Sequence, residues 1–326
     1  MSSVAQKLAS GSALRALTFF SNVVVTFFMM PFVMHTLGDR MYGFWTLVGA
    51  FLGYYSLMTF GLSSAANRYM AGAIGANDEA ECNKVFSTAV IMYLFLGAIV
   101  LVVTGIIAAM SHVICEDPKD AELFWKVITI LGINIAVSFP VKPFYGALAA
   151  TLRFDILSYP QFITLLLRTS LIVVVLIQGF SILAMALVTF ISSIPELALI
   201  IYYARKNLPF LRVERKSFNR STFKMLFSYS IYTFIGQIGQ QLRFNIDAFV
   251  ITAYISLVAV THYNIAATLI RYFMGLILSL MSVFAPLFSR QHDANDMDAL
   301  RRTFFFSTEG SFMSSLLLIF WFIFLL

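Results

Sequence analysis

VFSTAVIMYLFLGAIVLVVTGIIAAM, residues 85–110, is a run of 26 residues without a charged side chain. A helix that crosses the hydrocarbon core of a bilayer needs about 20 mostly apolar residues, so this stretch predicts a transmembrane helix. The rest of the chain has the same character, because hydrophobic residues make up 60% of its 326 positions and charged residues only 12%. A soluble domain usually carries roughly 25% charged residues. The sequence therefore predicts an integral membrane protein.

Polar breaks divide the chain into nine apolar blocks of similar length. Besides residues 85–110, the blocks are residues 14–36, 44–66, 123–148, 159–178, 182–203, 225–253, 258–288 and 303–326. The fifth and sixth blocks are separated by only a few residues, which predict a tight turn. The sequence thus predicts an all-α polytopic membrane protein with about nine transmembrane helices and short loops.

Lys and Arg are distributed unevenly between the two sides of the predicted membrane. With a cytoplasmic N-terminus, fifteen of them fall on the cytoplasmic side, and only Arg40, Lys119 and Lys126 fall outside. Because cytoplasmic loops carry an excess of Lys and Arg, this predicts a multi-pass protein of the cell inner membrane with its N-terminus in the cytoplasm. The same bias accounts for the net charge of +6, so the charge gives no reason to expect a nucleic-acid partner.

A short polar phrase occurs twice in the chain. ANDEAECNKVFST, residues 76–88, follows the second block, and ANDMDALRRTFFFST, residues 294–308, follows the eighth. Equivalent positions six helices apart predict two lobes related by a parallel six-helix repeat. Residues 1–204 would form the N-lobe with six helices, and residues 225–326 a partial C-lobe with three. We expect that the second lobe is truncated and lacks about three or more helices.

The basic segment RKNLPFLRVERKSFNRSTFK, residues 205–224, joins the two predicted lobes. It fits a cytoplasmic linker that lies at the membrane surface and follows the positive-inside rule. A dedicated site for anionic lipid is the alternative. In the first copy of the repeated phrase, Asn77 or Asp78 is expected to cap the third helix.

Two stretches resemble a known family. Residues 37–45 read LG-x-x-x-YG-x-W, residues 61–69 read GL-x-x-A-x-x-RY, and residues 286–290 read PL-x-SR. These patterns resemble the Wzx-type polysaccharide flippases of the multidrug/oligosaccharidyl-lipid/polysaccharide exporter superfamily, whose members usually have about twelve to fourteen helices in two lobes. The resemblance implies translocation of undecaprenyl-diphosphate-linked oligosaccharide across the inner membrane by alternating access, for cell-surface polysaccharide synthesis. It also implies membrane lipids and a polysaccharide polymerase or glycosyltransferases as partners.

Charged residues within the predicted spans are candidates for a transport path, because charges are costly there and usually face a cavity. The embedded bases are Lys142, Arg168, Arg243 and Arg271, and the embedded acids are Glu196 and Asp247, which leaves a balance of +2. That sign suits an anionic diphosphate. Polar residues at helical spacing extend the set. The candidate substrate-binding residues are Arg15, Asn22, Lys142, Gln237, Gln240, Arg243, Asn264 and Arg271. The candidates for ion coupling are Glu196 and Asp247.

Each of these assignments has a structural alternative. Arg243 and Asp247 are spaced for an ion pair on one helix, and Arg271 has local pairing or snorkelling as its alternative. Lys142 stands in the sequence PVKP, where a break would present a cation to substrate or simply kink the helix. A structural salt bridge between Arg168 and Glu196 is favoured over a site, with proton coupling through Glu196 as the other possibility.

Sequence signatures of catalysis, nucleotide binding and metal binding do not occur in the chain, so we expect neither an enzyme nor a cofactor. Two other functions stay open. A cation-coupled drug exporter of the same fold would need an acidic cavity, whereas the embedded balance is +2. A non-transporting membrane component of a glycan assembly complex would be consistent with an incomplete second lobe.

Overall fold

The computed structural model describes residues 2–115, 117–151, 153–214, 218–282 and 297–325. The chain divides into two compact units, Met1–Thr261 and His262–Leu326. The described part is helical apart from turns and loops. The helices are α1 (Ser2–Leu37), α2 (Asp39–Tyr54), α3 (Leu62–Gly75), α4 (Glu79–Ala109), α5 (Ser111–Ile114), α6 (Pro118–Ser138), α7 (Lys142–Ala150), α8 (Phe154–Ile177), α9 (Ile182–Asn207), α10 (Arg220–Tyr254), α11 (Leu257–Ser282) and α12 (Met297–Leu325).

Within the described residues, every predicted span coincides with a helix or with a helix pair, which confirms the all-α class. Within the described residues, five helices are long and apolar enough to cross a membrane, or six if the bent pair Asp39–Thr59 and Leu62–Gly75 forms one span. Helix α10 coincides with the seventh block but carries a polar stripe of Gln and Arg residues, which lowers its hydropathy. The total of nine spans therefore stays a prediction.

The first unit is a bundle in which α1 packs along α8, α4 along α6, and α8 along α9. One core joins α3, α4, α7 and α9 and contains the edge-to-face pair Phe86 and Phe144, with ring centroids 4.9 Å apart. A second core joins α2, α6, α8 and α9 around Phe44 and Phe124. Helix α10 packs against α2 and α3. Aromatic edge-to-face contacts of this kind add to the packing of each core.

Short turns bend or separate the helices at defined residues. A 3-10 segment, Tyr55–Thr59, is followed by Phe60 and Gly61, whose φ values are +47° and +72° respectively. The first copy of the repeated phrase turns α3 into α4, and Asp78 accepts a hydrogen bond from the Glu81 backbone N–H at 2.8 Å. This confirms the predicted cap. In the second copy, residues 294–296 lie outside the described residues.

Polar contacts join chain segments at each of the two ends of the bundle. At one end, Arg40 pairs with Asp120 at 2.7 Å and with Asp117 at 3.6 Å, which ties the start of α2 to the start of α6. At the other end, the backbone N–H of Arg212 donates to Asn83 Oδ1 at 2.7 Å. Residues assigned to the same side thus meet one another.

The second unit contains the part of α11 from His262 to Ser282, together with α12. Asn264, Thr268 and Arg271 lie on one face of α11, as their spacing predicts.

Candidate functional site

A polar cavity of about 360 Å³ lies between the α6–α7 span and α9, midway along both. Its walls carry two apolar residues and six polar ones. The polar residues are Asn134, Ser138, Lys142, Tyr145, Ser193 and Glu196. Because it lies inside spanning helices, polar groups here are expensive unless they bind one another, water or a substrate. We call it the Lys142 cavity.

The proline pair around Lys142 shapes this cavity. Phe139–Val141 forms a 3-10 turn that contains Pro140, and α7 then begins at Lys142 with Pro143 in its first turn. Proline lacks a backbone N–H and cannot continue the α-helical hydrogen-bond ladder, so the span breaks at this point. The break brings Lys142, half-buried at the start of α7, into the cavity, where its Nζ lies 4.8 Å from the Phe139 ring centroid.

Two hydrogen bonds connect the walls of the Lys142 cavity. The Tyr145 hydroxyl donates to Glu196 Oε1 at 2.7 Å, and the Ser193 hydroxyl donates to Asn134 Oδ1 at 2.7 Å. A phenol bound to a carboxylate is a charge-assisted hydrogen bond, which is stronger than a neutral one. The cavity therefore combines a cation, a carboxylate and hydroxyl groups that are suited to bind phosphate or sugar oxygens.

A second cavity, of about 310 Å³, lies between α1, α2, α8 and α9 and contains Arg168. Thr26, Tyr42, Trp45, Thr169 and Thr189 line it with several methionines. Arg168 is half-buried near the middle of α8. A guanidinium stays charged in proteins and offers five N–H donors, so this cavity is suited to an anionic or oxygen-rich group. We call it the Arg168 cavity.

One face of α9 lines both cavities. Thr189 contributes to the Arg168 cavity, and Ser193 and Glu196 contribute to the Lys142 cavity. Their spacing of four and three residues places all three on the same side of the helix. A similar stripe of Asn134, Ser138 and Lys142 runs along the facing span.

The expected salt bridge between Arg168 and Glu196 does not form. No ion pair among the described residues joins them, because Glu196 turns toward α7 and accepts the hydrogen bond from Tyr145. The sequence interpretation therefore underrated Arg168. Its carboxylate-free cavity makes it a better site candidate than a structural ion pair would have been.

The polar stripe of α10 separates into different environments. Gln237 is half-buried, and its Oε1 accepts a hydrogen bond from Thr59 at 3.5 Å, whereas Gln240 is exposed. Arg243 is exposed, with its guanidinium carbon 5.1 Å from the Phe244 ring centroid. None of the ion pairs between described residues includes Arg243.

The remaining candidates lie on α1 and α11. Asn22 is exposed, and its backbone carbonyl accepts from the Thr26 hydroxyl at 2.8 Å, while the side chain of Arg15 lies outside the described residues. In the second unit, Arg271 donates to Thr268 Oγ1 at 2.8 Å and to Asn264 Oδ1 at 3.2 Å. These bonds hold the half-buried guanidinium against its own helix.

Sequence reasoning missed four polar residues of the Lys142 cavity. Tyr145 follows Lys142 by three residues, and Asn134, Ser138 and Lys142 are each four apart, so their helical periodicity was available. Ser193 precedes Glu196 by three residues in the same way. These four side chains carry no charge, so the charge pattern of the sequence does not point to them.

Residues 8–292 match the model of a family described as polysaccharide biosynthesis protein. The uncharacterized membrane protein EpsK from Bacillus subtilis (strain 168) is 26% identical over 296 residues, which are 86% of this chain and 56% of that protein. This chain therefore spans little more than half the length of that relative.

Solved transporters have a similar fold. The inward-facing conformation of a multidrug resistance MATE family transporter of the MOP superfamily matches with a TM-score of 0.66 and 16% identity, covering 86% of this chain and 65% of that one. A MOP superfamily transporter from Pyrococcus furiosus, for which a reversed polarity of the binding pocket is described as suggesting a different function, matches with a TM-score of 0.64 and 16% identity. It covers 96% of this chain and 69% of that one. At 16% identity, these likenesses show the fold of this chain.

Proposed function

Because the chain belongs to the polysaccharide biosynthesis protein family and has the fold of MOP-superfamily transporters, we propose that the full-length protein is a flippase for a lipid-linked oligosaccharide. It moves an undecaprenyl-diphosphate-linked unit across the inner membrane by alternating access. Its two lobes are residues 1–204 and the region from 225 onward, joined by residues 205–224, with the N-terminus in the cytoplasm.

The observation that carries the proposal is the sign of the charges inside the spans. Lys142 and Arg168 lie in cavities at mid-span, and neither has an ion pair with any carboxylate that the structure describes. An unpaired cation in the membrane is costly and is usually kept for a substrate or ion path. A diphosphate that must leave water supplies the matching negative charge, and the hydroxyl-lined walls suit sugar oxygens.

The proposal is tested by measuring outward translocation of the lipid-linked unit in cells whose only copy is the full-length gene. We expect Arg168→Ala and Arg271→Ala each to reduce translocation about tenfold or more, because a hydrogen bond to a charged group contributes roughly 1.5–3 kcal/mol. Lys119→Ala, an exposed cation outside both cavities, is the matched control and should stay within about twofold of the wild type.

Unchanged translocation in both variants, with normal amounts of protein in the membrane, would remove these residues from the site. Loss of surface polysaccharide without loss of flipping would point instead to a non-transporting component of a glycan assembly complex. Such a component should co-purify with a polymerase or glycosyltransferase.

The similarity in fold to a multidrug resistance transporter suggests one alternative function. A cation-coupled drug exporter would have to bind cationic compounds, and Glu196 and Asp247 are its candidate coupling acids. Resistance to cationic dyes on expression, with surface polysaccharide unchanged in the deletion strain, would favour that function. The net positive charge of the Arg168 cavity argues for the anionic lipid instead, whereas Lys142 and Glu196 balance each other in the Lys142 cavity.

A further inference from the structure

A groove of about 570 Å³ runs between the turn before α3, helix α4 and helix α10. Its wall residues include Phe60, Ile91, Phe95, Ile99, Phe223 and Phe227. Two hydroxyl residues also border it, but Thr59 donates to the Ser56 carbonyl at 2.9 Å and Ser230 to the Leu226 carbonyl at 2.7 Å. The groove, called here the phenylalanine groove, therefore presents an apolar wall and suits a hydrocarbon chain.

Hydrogen bonds fix which end of the phenylalanine groove faces the membrane surface. The Ser87 hydroxyl donates to the Arg212 carbonyl at 2.7 Å, which holds the linker against the first turns of α4. Helix α10 starts soon afterwards, so α4 and α10 begin at the same membrane face. From Ile91 to Ile99 the groove follows α4 inward for roughly 12 Å at 1.5 Å per residue. It thus runs from the headgroup region into the hydrocarbon.

Two cations stand at this surface end. Arg220 and Lys224 are exposed, and the first turn of α10 contains no acidic residue. Arg220 precedes Phe223 by three residues and Lys224 precedes Phe227 by three, so each cation lies one turn nearer the surface than a groove phenylalanine. Cations are unfavourable at a helix N-terminus. Their charge does not stabilise α10, and an anion bound at the groove mouth would offset it.

We propose that the phenylalanine groove holds the part of the substrate's polyprenyl chain next to its headgroup, with the diphosphate between Arg220 and Lys224. This inference rests on the proposed function and adds a lipid-chain site to the two polar cavities. A diphosphate carries more negative charge than the single phosphodiester of a bilayer phospholipid, so it matches two cations better. The apolar wall and the charged mouth together select a long-chain anionic lipid.

The test uses the full-length protein in nanodiscs and a polyprenyl diphosphate probe with a photoreactive diazirine near the headgroup. Ile99→Trp fills the groove, and Val102→Trp is the control on the same helix, exposed and outside the groove. We expect Ile99→Trp to lower probe crosslinking to α4 and α10 peptides about tenfold, and Val102→Trp to change it less than about twofold.

A second variant changes the charge and leaves the packing intact. Arg220→Ala combined with Lys224→Ala should raise the half-saturating probe concentration about tenfold or more, since each basic residue near a membrane surface adds to anionic-lipid binding. The control pair, Arg205→Ala with Lys206→Ala, removes two exposed cations at the end of α9 and should leave the half-saturating probe concentration unchanged.

Competition separates the two sources of lipid. Unlabelled polyprenyl diphosphate should displace the probe, whereas phosphatidylglycerol at the same concentration should not. Equal displacement by phosphatidylglycerol, or wild-type labelling of both the Ile99→Trp and the double-alanine variants, overturns the inference. If the wild type binds the probe here yet supports no translocation in cells, the proposed function fails while the groove assignment stands.

Discussion

Gly61 shows how one residue can determine the docking of a helix. Its φ of +72° lies in the left-handed region, and a Cβ at this position would meet Thr233 Oγ1 and the Ser230 carbonyl of α10. Thr233 also donates to the Gly61 carbonyl at 3.3 Å. The glycine therefore satisfies two requirements, a backbone conformation and the close approach of α10 to the turn before α3.

We expect Gly61→Ala to destabilise the protein by about 1–2 kcal/mol from the backbone conformation alone, with more from the contact to α10. Thermal unfolding of the full-length protein in detergent measures the change. Gly49→Ala is the control, because Gly49 is helical and a Cβ there meets no described atom within 4 Å. That variant should be neutral or slightly stabilising, since alanine is the better helix former. Equal midpoints for the two variants would contradict this account of Gly61.

The embedded charges illustrate what sequence reasoning reaches at the scale of single residues. The presence of these residues and their net positive charge follow directly from the composition of the predicted spans. Their partners do not, because a side chain of Arg or Glu can turn toward any of several neighbouring helices. Glu196 accepts a hydrogen bond from Tyr145, and Arg168 lies in a separate cavity. Glu196 has this partner because α7 packs against α9.

At the scale of elements, one ion cluster ties two helices together. Arg40 at the start of α2 pairs with Asp120 at the start of α6, and the Asp120 side chain is only 11% exposed. Truncating Arg40 leaves that carboxylate without its partner in a place that water reaches poorly. The contact thus matters more than an exposed pair would.

We expect Arg40→Ala to lower the free energy of unfolding by about 1–3 kcal/mol. Lys126→Ala removes an exposed i,i+4 pair with Glu122 and should cost at most about 0.5 kcal/mol. The double variant Arg40→Ala with Asp120→Ala should recover part of the loss, because it removes the stranded charge. Equal effects of Arg40→Ala and Lys126→Ala in chemical unfolding would show that the cluster is a surface pair only.

Helix positions were the most predictable elements, because block length and turn residues are local properties. The break at Pro140 and the cap at Asp78 were also readable, since each depends on the chemistry of one residue. The phenylalanine groove was not predictable. It depends on three segments distant in sequence, and an apolar wall looks the same in sequence whether it faces a core, a groove or lipid.

At the scale of the whole molecule, the predicted orientation can be tested with cysteines. Lys119→Cys should react with a membrane-impermeant maleimide in intact spheroplasts, and Lys206→Cys should react only after permeabilisation. Burial, with a further contribution from the Asp120 charge, raises the pKa of the native Cys115 thiol to about 11. At pH 7 almost all of this thiol is protonated and unreactive, so its background labelling should be low.

The pH dependence of Cys115 provides an internal check. Below the pKa the thiolate fraction rises about tenfold per pH unit, so Cys115 labelling should increase roughly 100-fold between pH 7 and pH 9. Labelling of Lys206→Cys and not Lys119→Cys from outside would reverse the orientation. Rapid labelling of Cys115 at pH 7 would mean that this thiol is not buried.

The bend in the fourth span is held on both of its arms. On the α6 side, a Cβ at Gly97 of α4 would lie 3.0 Å from the Ala136 carbonyl oxygen, and on the α7 side a Cβ at Gly146 would lie 2.9 Å from Met70 Cε of α3. The Gly97 contact joins two helix backbones, whereas Gly146 meets the side-chain ends of Asn67 and Met70. A larger residue at Gly97 would therefore push α6 away from α4 and disturb the bend that brings Lys142 into its cavity.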